Sequence, residues 1–310
     1  MPRKAKLILN PMADMGNAWK VANDLRPIVA EYGSADWSGT VYPTHAIELA
    51  RQAGLDGYDV VVAVGGDGTV HEVVNGLMQL PAERRPMLGI VPVGSGNDFA
   101  HATGVPFKPD HALLHALKGE PQAVDIGVLR AENGREEYWN NTLGIGFDTV
   151  VTIRSHRMPL LRGFLMYLTA VVQTIILNFT PAQLKIQTDR EAWEDSTLML
   201  TICNGPREGG GFLLAPEAKL DDGIFNYAAV RKISRPMMFR LLPEVMKGTH
   251  GRFACVRIGD LTRLTLVSDK PLYIHTDGEV FTDFASNLRG IEVEMLPGAL
   301  RVVRGQSQAT

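Results

Sequence analysis

The chain reads as an α/β N-terminal domain built on an open parallel sheet, followed by a mostly antiparallel β-sandwich C-terminal domain. Three observations predict this. Short apolar runs alternate with helix-length segments as far as Lys118. After Ala123, helix-length segments become few and strand-like runs dominate. At 310 residues, the chain is long enough to bury two moderate cores.

Residues 6–10 read as a short strand and 17–32 as a helix. A strand at 37–42 and a helix at 44–53 follow, with Thr44 as a candidate N-cap. The unbroken run Val60-Val61-Val62-Ala63-Val64 predicts a strand over 59–64 buried on both faces, then a helix over 70–78. A strand at 88–93 leads into Gly94-Ser95-Gly96-Asn97-Asp98-Phe99, and 110–118 reads as a helix with Pro109 just before it. In the second part the candidate strands are 138–144, 182–188, 197–203, 224–230, 263–267, 272–276 and 290–295. Two helices, 161–178 and 236–247, interrupt them. Leu300-Arg301-Val302-Val303 reads as a last strand returning to the first domain. The expected domains are 1–125, completed by 299–305, and 126–298. The tail 305–310 is expected to be disordered.

A hydrophobic content of 45% and a charged content of 21% are those of a soluble globular protein. The net charge of -3 argues against a nucleic-acid partner held by a general basic surface. Cys203 and Cys255 are far apart and make no metal-type spacing; a disulfide framework is not expected, and a cytoplasmic setting follows. The apolar run Leu7-Ile8-Leu9 stops at Asn10-Pro11, too soon for a signal peptide. The stretch 163–179 is broken by Thr169, Gln173 and Thr174 and falls short of the roughly 20 residues a spanning helix needs. His111 and His115 share a helix face without an intervening Glu and suggest surface histidines rather than a metal site.

Three turns carry the candidate chemistry. Gly65-Gly66-Asp67-Gly68-Thr69 lies where a buried strand hands over to a helix N-terminus, a position whose amides and dipole favour a phosphate. The bland alternative is a tight turn with Asp67 as helix cap. Gly94 to Phe99 repeats the arrangement after the next strand, with Asn97 or Asp98 as the cap in the bland reading. Both turns, with Asn10-Pro11, would sit at the carboxyl rim of a parallel sheet, where open α/β folds bind ligands. Neither turn is G-x-G-x-x-G, and no G-x-x-x-x-G-K-S/T occurs, which disfavours a dehydrogenase and a P-loop NTPase. The third turn, Leu220-Asp221-Asp222-Gly223-Ile224, is by itself a β-turn signal.

With Glu72-Val73-Val74-Asn75-Gly76-Leu77 after it, the first turn resembles the signature of the diacylglycerol kinase catalytic-domain family, which includes sphingosine kinases and bacterial soluble lipid kinases. Gly94 to Phe99 resembles the family's second nucleotide motif. Gly209-Gly210-Gly211-Phe212, Ala215-Pro216 and Leu220 to Gly223 resemble its second domain, and His275-Thr276-Asp277-Gly278-Glu279 its late D-G-E motif. The ordered set covers nearly the whole chain. The resemblance implies an NAD-kinase-like first domain and an ATP- and Mg²⁺-dependent lipid kinase acting on diacylglycerol, a sphingoid base or a related lipid. It implies that Asn10, Thr44, Gly65, Gly66, Asp67, Gly68, Thr69, Glu72, Gly94, Ser95, Gly96 and Asn97 contact ATP. Ser95 stands where many members have threonine. It further implies Glu279 as general base and Asp67 as a second catalytic residue, Asp222 as Mg²⁺ ligand with the backbone oxygens of Lys219 and Ile224 nearby, and Asp67 and Asp98 joined to Asp222 through water. These roles suit the chemistry: a triphosphate needs a cation, clustered carboxylates need one too, and a hydroxyl nucleophile needs a carboxylate to take its proton. Without the resemblance, Glu279 would be a solvated acid after an Asp-Gly turn.

A lipid alcohol reached at a membrane surface is the implied partner. The run from Ile153 to Leu165 mixes basic and apolar residues and would rest on an anionic surface; the bland reading is a solvated loop entering a packed helix. Two rival readings remain: an NAD-kinase-like small-molecule kinase, whose GGDGT turn is similar, and a non-catalytic lipid-binding protein with the kinase fold. The second nucleotide motif and Asp277-Gly278-Glu279 favour the lipid kinase. A homodimer is left open, and the second-domain strands carry no signature naming the lipid.

Overall fold

A strand without polar positions needs cover on both faces, and Val60–Gly65 is buried at every position. The computed structural model describes residues 2–158, 161, 163–177 and 180–305. The chain divides into two units, Met1–Asp125 with Gly298–Thr310, and Ile126–Pro297.

In the first unit, β1 (Ala5–Leu9), β2 (Ala35–Gly39), β3 (Val60–Gly65) and β4 (Met87–Pro92) form a parallel sheet in the order β2-β1-β3-β4. Helices α1 (Ala18–Tyr32), α2 (His45–Leu55), α3 (Asp67–Met78), α4 (Asp98–Ala102) and α5 (Pro109–Lys118) connect and cover it. The end of the last strand joins beside β4, with Val302 paired in parallel to Leu88. The turns after β1, β3 and β4 therefore share one rim. Strand β2 lies two residues earlier than expected because its register follows β1 and ends with it, Leu9 opposite Gly39.

The second unit is antiparallel throughout its described ladders. β5 (Pro121–Ala131) enters it and pairs with β6 (Glu136–Trp139). β7 (Thr142–Gly146), β8 (Ala182–Thr188) and β9 (Ala192–Cys203) follow, with α6 (Phe147–Ser155) and α7 (Gly163–Leu177) between β7 and β8. Next come β10 (Phe225–Arg231), α8 (Arg235–Met246), β11 (Val256–Leu261), β12 (Arg263–Ser268), β13 (Ile274–Thr276), β14 (Glu279–Thr282) and β15 (Gly290–Val303). β9 is the hinge of this architecture: its first half pairs with β8, and its second half lies between β7 and β10. One core gathers Leu184, Ile186, Leu264, Leu266, Phe225 and Trp139 between the strands. A second packs α6, α7 and α8 against β9 and β10.

Several expectations are corrected. The single strand 138–144 is two, broken where Asn140 and Asn141 turn their amides to Asp277. β5 escaped notice because Asp125 and Gly127 interrupt its apolar pattern; Asp125 accepts the Gly298 amide at 2.7 Å, and Gly127 clears space for the buried Trp139 ring. α6, β11 and β14 were not expected. Thr44 precedes α2 but makes no side-chain cap, and its φ is 71°. Residues 162 and 178 of the helix expected at 161–178, parts of the basic run at 159, 160 and 162, and the tail 306–310 lie outside the described residues. Among the described residues, no helix is long and apolar enough to cross a membrane. Cys203 is buried, Cys255 is half-buried, and both are free.

Candidate active site

The two glycine turns of the first unit meet backbone to backbone. Gly65 lies opposite Pro92 at the end of the β3–β4 ladder, so both chains leave the sheet at the same height. A Cβ on Gly94 would stand 2.5 Å from the Gly66 Cα, and one on Gly66 would stand 3.2 Å from the Gly94 Cα. Glycine at both positions is thus a packing requirement. Gly66 occupies the N-cap of α3 without a side-chain cap, and the Thr69 and Val70 amides bond back to its carbonyl at 3.0 and 3.1 Å. Asp67 is not the helix cap: its Oδ1 accepts the Phe99 amide at 3.2 Å and ties the first turn to the second. Asn97, the N-cap of α4, makes no side-chain cap. Asn97, at φ 53°, folds back on Gly94, accepting its amide at 3.0 Å and donating to its carbonyl at 2.7 Å.

The rim continues on both sides of these turns. Asn10, just past β1, donates through Nδ2 to Thr69 Oγ1 at 3.2 Å and accepts the Met12 amide at 3.0 Å. The Glu72 carboxylate accepts the Thr44 and Ala46 amides at 2.9 and 3.1 Å, so it fixes Thr44 and the start of α2. Ser95 is exposed, with Gly96 and Gly68 half-buried beside it. A Cβ on Gly96 would stand 2.8 Å from Asp67 Oδ2 and 3.5 Å from Asp98 Oδ2, which places both carboxylates around one glycine. Paired acids of this kind fit a hard cation, because their mutual repulsion is relieved by one. His71, inside the motif, is buried and bonded to Asn75; it packs.

In the second unit, Asp222 lies on an exposed turn and accepts the Ile224 amide through Oδ1 at 3.3 Å, with Gly223 at φ 75°. Lys219, Asp222 and Ile224 share this one loop. The D-G-E motif is a two-residue hairpin turn between β13 and β14. Asp277 and Gly278 both have positive φ, 54° and 83°, which matches the turn type that twists with its strands. The Asp277 carboxylate is buried and accepts the backbone amides of Asn140, Asn141 and Thr142, the closest at 2.7 Å. Glu279, first residue of β14, is exposed.

Asp148 and Glu208, which sequence reasoning passed over, stand close to His275 of the D-G-E motif. His275 is fully buried, with Nε2 3.1 Å from Glu208 Oε1 and 3.4 Å from Asp148 Oδ2. Burial opposes a charge on the ring, but Glu208 and then Asp148 outweigh it and lift its pKa to about 9. Ligand atoms of the three lie within 4.8 Å of one another, a spacing one metal ion would accept, although the acids already face the imidazole directly. Thr201 Oγ1 donates to Asp148 Oδ2 at 2.6 Å. Burial, Glu208 and Asp148 push the neighbouring Cys203 thiol well above its usual pKa, which leaves it unreactive. The available signal was an acid inside an apolar run, as in Gly146-Phe147-Asp148-Thr149-Val150.

Asp148 and Glu208 also line an apolar cavity of about 100 Å³. Its walls come from α6, α7, β9, β10 and α8, including Val151, Val171, Leu198 and Leu241. Tyr167, another wall residue, has its hydroxyl 3.6 Å from where a Cβ on Gly278 would stand. One wall residue of the cavity therefore reaches the turn that carries Glu279.

A parallel-sheet unit with paired glycine turns, joined to an antiparallel unit holding an apolar cavity, defines a two-domain α/β plus β-sandwich protein with a candidate phosphate site. Residues 4–129 match the diacylglycerol kinase catalytic domain, and residues 141–304 match the YegS C-terminal NAD kinase beta sandwich-like domain. The chain is 31% identical to a protein named "Probable lipid kinase YegS-like" from Chromohalobacter salexigens, over 97% of each. It is 30% identical to a "Diacylglycerol kinase" from Mycobacterium tuberculosis, over 97% of this chain and 95% of that one. A crystal structure titled as a diacylglycerol kinase from Bacillus anthracis str. Sterne superposes with a TM-score of 0.71 at 22% identity, covering 99% of this chain and 98% of that one, and shares the fold. The chain belongs to the diacylglycerol kinase catalytic-domain family of YegS-like lipid kinases.

Proposed function

We propose that this kinase transfers the γ-phosphoryl group of ATP, with Mg²⁺, to the hydroxyl of a lipid alcohol such as diacylglycerol or a sphingoid base. The observation that carries the reading is the apolar cavity of the second unit, one wall residue of which, Tyr167, reaches the Gly278–Glu279 turn. A soluble dinucleotide has no use for such a lining, whereas each methylene it buries contributes about 0.8 kcal/mol. Bound ATP would supply the phosphoryl group, and Mg²⁺ would neutralise its oxygens. In the first unit, the α3 N-terminus and the Gly94 to Asn97 turn would cradle phosphates, while Asn10, Thr44 and Glu72 hold that rim in shape. Asp67 and Asp98 would face the cation there. In the second unit, Glu279 would accept the hydroxyl proton, and Asp222, with the Lys219 and Ile224 carbonyls, would hold a second cation that stiffens its turn.

Peripheral contact with a bilayer is part of the same proposal. Helix α7 carries no charged residue and exposes Leu165, Ile176 and Leu177, and α8 exposes Phe239. Arg154 and Arg157 sit on the approach to α7 and suit an anionic surface. Binding to liposomes that ignores anionic lipid content would remove this part.

The deciding experiment incubates the protein with labelled ATP, Mg²⁺ and a mixed lipid extract, with NAD in parallel. A phosphorylated lipid is expected. Label in NAD alone would overturn the reading, and label in neither would favour a lipid-binding protein without turnover.

A further inference from the structure

The hairpin turn bearing Glu279 is held from two sides. On one side, Asp277 gathers three backbone amides of the β6–β7 connection. On the other, the Gly278 amide points at His275 Nδ1 from 3.3 Å, while Nε2 of the same ring faces Glu208 and Asp148. Glu208 and Asp148 belong to the wall of the apolar cavity. The neighbouring strand is shaped for this contact. Gly144 on β7 pairs with His275, and any Cβ there would overlap His275 Nε2 and Asp148 Oδ2. Burying an imidazole and two carboxylates together costs far more than burying apolar side chains of the same size, so packing alone gives no reason for the cluster.

We propose that His275 is a positioning residue for Glu279: clamped by Glu208 and Asp148 at the cavity wall, its ring backs the hairpin turn at Gly278 and thereby sets the direction in which Glu279 meets the acceptor hydroxyl. This rests on Glu279 being the base of the lipid-kinase reading. One chain of contacts then runs from cavity wall to Glu208, His275, Gly278 and Glu279, so the wall that receives the lipid also sets the base. The charged or titratable groups facing His275 are Glu208 from the segment after β9, Asp148 from α6 and Asp277 from its own hairpin.

A double-mutant cycle tests this, with His275→Asn, Glu279→Gln and the pair, read as lipid turnover, lipid KM, ATP affinity and thermal midpoint. Glu279→Gln is expected to lower kcat about 100-fold. His275→Asn is expected to lower kcat about tenfold, with ATP affinity unchanged. If His275 acts through Glu279, the pair is no slower than Glu279→Gln alone. A further tenfold loss in the pair, or a wild-type kcat in His275→Asn, overturns the inference. Glu208→Gln, which keeps the side-chain volume, should give a smaller loss with the same non-additivity and decides the matter if His275→Asn does not fold. If both lose the fold, the cluster is structural and the inference fails. A wild-type protein that phosphorylates no lipid removes the underlying reading as well, whereas an active wild type with multiplicative losses removes the inference alone.

Discussion

His275 Nε2 lies 3.1 Å from Glu208 Oε1, in a part of the second unit where both side chains are buried. This pairing has a consequence for stability. Burial favours the neutral ring, but the two acids win and raise the folded pKa to about 9 from the ordinary 6.5. A raised basic group stabilises the fold fully below its unfolded pKa, and that contribution is lost as pH climbs through the folded one. The thermal midpoint should therefore fall between pH 6.5 and 9, and His275→Gln should flatten the decline. The Gly278 amide aimed at Nδ1 works against the second proton. A level wild-type curve across this window would mean that the amide prevails and the ring stays neutral.

The contact of Gly66 with Gly94 gives a second prediction. A methyl group at residue 94 would meet the Gly66 Cα at 2.5 Å and Asn97 Oδ1 at 2.8 Å, both held by neighbouring backbone. Gly94→Ala should cost about 1–3 kcal/mol by overpacking and push the two turns apart. Denaturant unfolding would show the loss, and an ATP titration should show weaker binding. Unchanged values in both would mean that the turns separate freely.

Legibility differed between the two units for a physical reason. The first unit was readable because β3 and β4 are uninterrupted apolar strands and their turns are glycine-rich, so both the sheet and its rim follow from local sequence. The bland alternatives that made Asp67 and Asn97 caps do not hold, because Asp67 bonds to the opposite turn and Asn97 to Gly94. In the second unit, alternation exposed β8 and β12, whose burial alternates along most of their length. The His275 cluster was invisible because its three members come from residues 148, 208 and 275 and meet only through the β7–β13 and β7–β9 pairings. Likewise, Asp277 looked like part of a chemical motif, and its bonds to residues 140–142 show that it anchors the turn.

Asp277 and Glu279 should separate cleanly by substitution. The Asp277 carboxylate is buried and takes three backbone amides, charge-assisted bonds whose loss leaves donors without partners. Asp277→Asn should lower stability by about 2 kcal/mol. Glu279 is exposed on β14, so Glu279→Gln should leave the thermal midpoint in place while turnover collapses. If Glu279→Gln retains full turnover, the base lies elsewhere; if Asp277→Asn is as stable as wild type, the anchoring role is wrong.

The cavity offers a test that leaves the phosphate-binding turns untouched. At about 100 Å³ it holds only a few methylene groups, so a lipid chain entering it must use nearly all of the space. Val171, on α7, lines it and is buried. Val171→Phe would place a ring in the space at a cost of about 1–3 kcal/mol in strain. If the cavity receives the acyl or sphingoid chain, this variant should raise lipid KM about tenfold or more, since several buried methylenes at about 0.8 kcal/mol each are forfeited. ATP affinity should not move, because all the turns proposed to hold phosphate belong to the other unit. Val171→Ala should keep or improve the use of lipids with bulkier chains. A folded Val171→Phe variant with wild-type lipid kinetics would show that the cavity does not receive the chain, and the cavity would then be a packing defect rather than a substrate site.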